Sequence, residues 1–315
     1  MYLNDVVDGN AFDGYLGQGS YSYVYKSSLQ VGRHTVPVAI KYPKNSPSAK
    51  NIAKEAIMYH KMSAQPSPFL MRMVAIMYFD KSLIESSIRN KTNSEVLDCI
   101  KQISSVSTPI ICPALELWDM NLRSYLSSAK TDFEYVFDYL SAFHVLLMVC
   151  QGIREIHERG FVHRDIGVDN VQIEVKFDQR TSKRMIQRAV ISDFGIMCEI
   201  NEDMPNNDQF SETWRKTKRN PDIVTFAAPL ADLYSVGYSI SQEMLKVFDH
   251  KFGEVEREVP EFKVINAFRY LTTSKSQQRH MINIAAISDR EAFTVNDAIK
   301  MLSVMVHTLK EKSVA

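Results

Sequence analysis

Cysteine is scarce: Cys99, Cys112, Cys150 and Cys198 are the only four in 315 residues. Their spacing is neither paired nor metal-like, so neither a disulfide framework nor a structural zinc site organises the chain. The thiols are expected to stay reduced, which points to an intracellular protein, cytoplasmic or nuclear. An excess of charge of either sign is also missing. Lys+Arg and Asp+Glu both total 37, for a formal net charge of zero, and bulk electrostatics therefore does not mark a nucleic-acid binder. The first eight residues hold two acids and no apolar core, so no signal peptide is expected there. The apolar run Phe143–Cys150 is far shorter than the roughly 20 residues a membrane span requires. Internal repeats, heptad arrays and low-complexity tracts are absent. What is present is a 45% hydrophobic content, ample for a core, on a length that fits one large domain or two small ones.

The coarse pattern is strands with one helix up to about Leu117, then mostly helices. Ala49–Ser63 reads as a helix, with Ile52, Ala56 and Tyr59 on one buried face. Tyr135–Arg159 places Val136, Tyr139, Leu140, Phe143, Leu146, Leu147, Cys150, Ile153 and Ile156 at helical spacing, and Gly160-Phe161 ends it. Thr294-Val295-Asn296-Asp297 has the form of a capping box ahead of a helix with Ala298, Met301, Leu302 and Met305 on its apolar face. Residues Asp80–Thr108 form an insertion in which Ser94–Ser105 is a candidate helix.

The chemistry concentrates in His163-Arg164-Asp165-Ile166-Gly167-Val168-Asp169-Asn170, followed after 22 residues by Asp193-Phe194-Gly195. Either element alone is weak: His-Arg-Asp recurs by chance, and Asp-Phe-Gly is often a plain turn. Together and in order, with β-rich flanks at Val171–Val175 and Ala189–Ser192, they resemble the catalytic and metal sites of the eukaryotic-type protein kinase superfamily. The resemblance implies a two-lobed α+β fold. Its β-rich N-lobe with one helix would span residues 1–117, with the insertion at about 80–108, and its α-helical C-lobe residues 118–315, with ATP between them. It assigns Asp165 as the acceptor of the substrate hydroxyl's proton, and Asn170 and Asp193 as the ligands of Mg²⁺.

The N-terminal third carries the remaining parts of that resemblance. Leu16-Gly17-Gln18-Gly19-Ser20-Tyr21-Ser22-Tyr23-Val24 is similar to the kinase glycine-rich loop, with Ser22 in place of the third glycine. Leu16, Gly17, Gly19, Ser22 and Val24 would then meet the nucleotide. Its bland alternative is a hairpin turn. Val36-Pro37-Val38-Ala39-Ile40-Lys41 resembles the Val-Ala-Ile-Lys strand. Ala39 would lie above the adenine, and Lys41 would contact the α- and β-phosphates. Glu55 would pair with Lys41, against the plain reading of an exposed helical acid beside Lys54 or Lys61. Ile110–Trp118 resembles the strand and hinge, with Leu115 as gatekeeper and the backbone of Glu116 to Trp118 at the adenine edge. Asp232, in Ala231–Tyr238, resembles the acid that anchors the catalytic loop from below. The wording around Asp165 and Asp232 is nearest the casein kinase 1 group.

Departures from the pattern are as informative. Gly167 stands where most serine/threonine kinases carry Lys, so one positive charge near the transferring phosphoryl group is missing. If no other cation fills the role, Gly167→Lys is expected to raise kcat. Gln172 replaces the Leu usual beneath the adenine. Two segments compete for the Ala-Pro-Glu role, Ala228-Pro229-Leu230 and Asn220-Pro221-Asp222. The second leaves nine residues before Asp232 and keeps an acid, and it is preferred, with Arg290 as the partner of Asp222. Arg164 would meet a phosphate on Ser211, Thr213 or Thr217, or else the acids Glu202, Asp203 or Asp208. The basic run Arg215–Arg219 reads as a contact for substrate acids or phosphate, or as a solvated loop.

The resemblance implies transfer of the γ-phosphoryl group of ATP, with Mg²⁺, to Ser or Thr of a protein substrate, with no nucleic-acid or membrane partner. Two other classes remain open: a pseudokinase that binds nucleotide as a scaffold, which Gly167 and Gln172 favour, and a small-molecule kinase, which usually reads His-Gly-Asp at this point.

Overall fold

The computed structural model describes residues 14–79, 98, 101–103, 106, 110–200, 229–253, 259–273 and 293–314. The chain divides into two compact units, Met1–Ser67 with Met71–Leu117, and Pro68–Leu70 with Trp118–Ala315. Among the described residues no helix is long and apolar enough to cross a membrane.

In the first unit β1 (Gly14–Gln18), β2 (Ser22–Val31), β3 (His34–Pro43), β4 (Met73–Phe79) and β5 (Ile110–Glu116) form one antiparallel sheet in the order β1-β2-β3-β5-β4. Side chains on a strand alternate between faces, and β3 shows what each face is for. Val38, Ile40 and Tyr42 are fully buried in a cluster with Tyr25, Leu29, Met77, Phe79 and Cys112. Lys41, between them in sequence, points to the other face, against which α1 (Ser46–Ser63) packs. That helix starts three residues earlier than the apolar periodicity indicates. Asn45 supplies the cap, its Oδ1 accepting the Ser48 N–H at 2.9 Å, and a proline sits in the first turn, where its missing donor costs nothing.

The insertion between β4 and β5 is part of this core. Ile103 is fully buried and Val106 nearly so, both within the cluster on the face away from α1. The Tyr23 hydroxyl donates to Gln102 Oε1 at 2.8 Å. A sheet with helix on one side would otherwise leave Tyr25, Ile40 and Tyr42 in water. Ile103 and Val106 keep part of that apolar area out of it, and such burial is the dominant stabilising term in any fold.

The second unit is built around the long helix α3 (Tyr139–Glu158), with Ala142, Phe143, Val145, Leu146, Val149, Cys150, Ile153 and Ile156 all inside. It begins four residues later than the expected Tyr135. Tyr135 to Phe137 run extended beside β9 (Lys183–Ile191), where Val136 N–H donates to Arg184 O at 2.9 Å and Arg184 N–H to Glu134 O at 2.7 Å. The helix then opens on Asp138, whose Oδ1 accepts the Ser141 N–H at 2.8 Å. Here backbone pairing to a distant strand outweighs local periodicity. β6 (Met120–Asn121), β8 (Val171–Asp178) and β9 make a three-stranded sheet, and β7 (Phe161–Val162) pairs with β10 (Cys198–Glu199). α2 (Leu122–Thr131) follows β6 directly. Pro68–Leu70 belong to this unit rather than to the first, because Phe69 O accepts the Ile191 N–H at 2.9 Å.

One nearly continuous helical stretch runs from α4 (Leu230–Ser235) through a π turn at Val236–Ser241 into α5 (Gln242–Phe252). It begins directly after Pro229, so Ala228-Pro229 has no helix between it and Asp232. The competing Asn220-Pro221-Asp222 segment and Arg290 lie outside the described residues. α6 (Pro260–Thr273) packs on the π turn, and α7 (Val295–Val314) packs along α3. The expected capping box closes reciprocally: Thr294 N–H and Oγ1 both meet Asp297 Oδ2, at 3.0 and 2.6 Å, and Asp297 N–H reaches Thr294 Oγ1 at 3.2 Å.

The packing of the insertion sets a test. Ile103→Ala is expected to cost about 3 kcal/mol of stability through lost burial and the cavity left behind, and Tyr23→Phe about 1 kcal/mol through the lost hydrogen bond. Urea denaturation reads both. An unchanged midpoint for Ile103→Ala would mean that the insertion is detached from the sheet in solution.

Candidate active site

The side chains to which the sequence assigns chemistry fall into two groups, one in each unit. In the first, Lys41 at the end of β3 and Glu55 in the middle of α1 meet at 2.6 Å, Nζ to Oε1, with side-chain exposures of 11% and 4%. Moving two charges out of water costs several kcal/mol per ion, which their attraction offsets only at good geometry. Such a pair is a poor way to stabilise a fold, and its burial points to use.

The hairpin ahead of it is tightly closed. Gly19 N–H donates to Ser22 O at 2.9 Å, Lys44 N–H to Tyr21 O at 3.0 Å, and Ser22 is buried. Gly17 has φ 149°, a conformation that disfavours any side chain, at a bulge in the β1–β2 register between Tyr15 and Gly17. The bulge leaves Leu16 half exposed, and Val24 and Ala39 are half-buried in the strands behind. Leu115 is buried opposite Ala39. Glu116 departs from the simplest expectation for the hinge. Its N–H is already given to Arg72 O at 3.1 Å, and its carboxylate pairs with Arg72 at 2.7 Å, so that N–H is not available to an adenine edge.

In the second unit the loop 163–170 is tied down at several points. The fully buried carboxylate of Asp232, in α4, accepts the His163 N–H at 2.8 Å and the His157 Nε2 at 2.9 Å through Oδ2, and the Arg164 N–H at 2.7 Å through Oδ1. Burial by itself raises this carboxyl's pKa. The hydrogen bond and charge of His157, with the bond from the His163 backbone, outweigh that and hold it below the ordinary carboxylate range. His163 bridges onward. Asp165 N–H donates to its Nδ1 at 3.2 Å, which leaves the hydrogen on Nε2 for Ser192 O at 3.0 Å. The imidazole thus connects the loop of Asp165 to the residue preceding Asp193.

Asn170 Nδ2 donates to both Asp165 O, at 2.8 Å, and Asp165 Oδ2, at 3.0 Å. Its Oδ1 is not used in these bonds; it and the carboxylate of Asp193 are the hard-oxygen groups that could hold Mg²⁺. Among the described residues no cluster of three or more His, Cys, Asp or Glu could hold a metal without such help. Arg164 and Asp193 both adopt left-handed backbone conformations, φ 71° and 66°. Non-glycine residues are held there only when their surroundings over-determine them, commonly at functional sites. The Arg164 guanidinium is buried and donates to Ile196 O at 3.2 Å. The loop acids and hydroxyls considered as its further partners, together with Arg215–Arg219, lie outside the described residues.

Gln172 is half-buried, its amide 3.4 Å from both Asp169 O and Ser192 Oγ. Trp118 is half-buried, with Arg188 5.2 Å above its ring. Three contacts were not singled out from the sequence. These are the grip of His157 on Asp232, the bridge from His163 to Ser192, and the two-pronged pair of Arg123 with Asp169 at 2.6 and 2.8 Å. The position of His157, six residues ahead of His163, is the one sequence signal that could have marked the first.

Known proteins resemble this chain over part of its length. A family model described as protein tyrosine and serine/threonine kinase matches residues 11–220. A probable serine/threonine-protein kinase of Encephalitozoon cuniculi is 35% identical over 98 residues, 31% of this chain and 15% of that protein. The sporulation protein kinase mde3 of Schizosaccharomyces pombe is 29% identical over 100 residues, 31% of this chain and 17% of that protein. The chain thus aligns with about a sixth of the length of these two relatives. Neither they nor the family model single out the casein kinase 1 group.

The anchoring carboxylate has a measurable pH signature. Asp232→Asn removes the charge that the buried donors face and is expected to cost about 3 kcal/mol at neutral pH. Because the folded-state pKa of Asp232 is depressed, its contribution is present in full above the ordinary carboxylate value of about 4 and is lost as pH falls through the lower folded value. The stability gap between wild type and Asp232→Asn should therefore be present at pH 5 and close as pH falls below about 4. Denaturation midpoints measured across that range would show a gap independent of pH if the carboxylate were not ionised in the fold.

Proposed function

Because the chain belongs to the protein kinase family, we propose that it is a competent protein kinase that transfers the γ-phosphoryl group of ATP to Ser or Thr of protein substrates. The observation that carries this reading is the buried Lys41–Glu55 pair at 2.6 Å, the contact that kinases need in place for turnover. Asp165 is the general base for the substrate hydroxyl, its carboxylate oriented by the amide of Asn170. Lys41 orients the α- and β-phosphates, and Glu55 holds its ammonium in place. Asn170 and Asp193 would hold Mg²⁺, which when bound neutralises charge between the β- and γ-phosphates. The glycine-rich hairpin from Leu16 to Val24, with Ala39, the backbone near Trp118, and Gln172, would contact the rest of the nucleotide. Serine and threonine are chosen over tyrosine on the names of the two relatives and on the lack of Ala-Ala-Arg wording after Asp165.

A nucleotide-binding scaffold without turnover is the second reading, favoured by Gly167 in the position where a lysine would face the γ-phosphate. Phosphate transfer from labelled ATP to a generic protein substrate separates the two. Asp165→Asn is expected to lower kcat by about 10²–10⁴-fold, the usual worth of a general base, and Asp193→Asn to abolish Mg²⁺-dependent turnover while the protein stays folded. Wild-type turnover no higher than that of Asp165→Asn would favour the scaffold. Lys41→Met and Glu55→Gln should each depress transfer, and the double variant by less than the product of the two. Fully multiplicative losses would show that the two residues act independently.

A further inference from the structure

Gly167 is not a glycine for conformational reasons. It is absent from the positive-φ residues, so its backbone is open to any L-amino acid. Space is what distinguishes it. A Cβ built at Gly167 would lie 3.3 Å from Ser239 Oγ, the one heavy atom within 4 Å among the described residues. Ser239 stands in the π turn Val236–Ser241. A π turn closes i→i+5 rather than i→i+4 bonds, and such single turns inside α-helices are frequent at functional sites. The buried Ser241 follows that register with its side chain, Oγ donating to Val236 O at 3.3 Å. The π turn is thus the segment that presents Ser239 to Gly167. The stretch that carries Asp232 therefore meets the catalytic loop twice. It meets the start through the hydrogen bonds to His163 and Arg164, and the middle through Ser239.

Asp165 lies between those two points. Downstream, Asn170 N–H donates to Gly167 O at 3.0 Å, and Asn170 Nδ2 returns to Asp165. A shift at Gly167 is thus passed to both the general base and the Asn beside it. On the proposed kinase reading, we propose that Ser239 is a positioning residue for Asp165: it sets the path of the loop at Gly167 and is the reason that position carries no side chain. The missing cation is then the consequence of a packing choice, and Gly167→Lys alone does not restore it.

The test is a double-mutant cycle on phosphate transfer with Gly167→Ala, Ser239→Ala and the pair. Gly167→Ala should lower kcat by about tenfold, with KM for ATP changed by less than about twofold, because a small misplacement of a catalytic group acts on the chemical step. In the Ser239→Ala background the same change should cost less than about threefold. Gly167→Lys should raise kcat only when Ser239 is also Ala. Losses that simply multiply, an undiminished kcat in Gly167→Ala, or a gain from Gly167→Lys with Ser239 in place would each overturn the proposal. A wild type without turnover would overturn the proposed function instead. The contact is then read from denaturation midpoints of the same four proteins, where strict additivity of the two substitutions would overturn it.

Discussion

A single buried carboxylate organises the second unit. Asp232 gives up all contact with water and receives in exchange two backbone N–H groups and one imidazole. An ionised group can be buried at tolerable cost only when its lone pairs are met in this way. The two backbone donors come from the residues immediately ahead of Asp165, so satisfying the charge also fixes where the loop begins. Satisfaction at Asp232 and placement of Asp165 are the same event. The left-handed backbone of Arg164, unfavourable in isolation, is stabilised by this bond to its N–H.

From there the constraint spreads through hydrogen bonds whose donors have few alternatives. His163 connects the loop to Ser192, Ser192 N–H donates to Asn170 O at 2.8 Å, and Asn170 closes back on Asp165. The ring runs through β8 and β9, whose pairing from Val171 opposite Ile191 brings the Asp165 loop and Asp193 to one end of the sheet. A hairpin joining the two elements makes their proximity cheap in entropy, because the loop to be closed is short.

The first unit solves a different problem with the same means. Lys41 and Glu55 are adjacent because α1 lies on the face of β3 that odd-numbered residues reach. The even-numbered residues Val38, Ile40 and Tyr42 build an apolar layer opposite. That layer is thick in aromatic rings: Tyr25, Tyr42 and Phe79 are in edge or tilted contact at 5.9 and 5.1 Å. It is closed by residues of the insertion. A segment that looks dispensable by length is thereby part of what keeps the strand carrying Lys41 in place.

The sequence by itself determined which residues could do chemistry and in what order they occur. Asp165, Asn170 and Asp193 lie within one loop and one hairpin, where spacing along the chain limits spacing in space. The alternation in β3 and the periodicity in α1 likewise report which face each residue takes. Tertiary structure decided what those faces meet. Tyr135 leaves the helical pattern because β9 offers its backbone a partner. Ile103 is a core residue because the sheet has an uncovered face. Glu116 gives its N–H to Arg72, and Gly167 lies where Ser239 arrives beside it from a distant helix. Periodicity records that a side chain is buried but not against what, and contacts between residues 70 or more positions apart, such as His157 with Asp232, are selected by the packing of the whole unit.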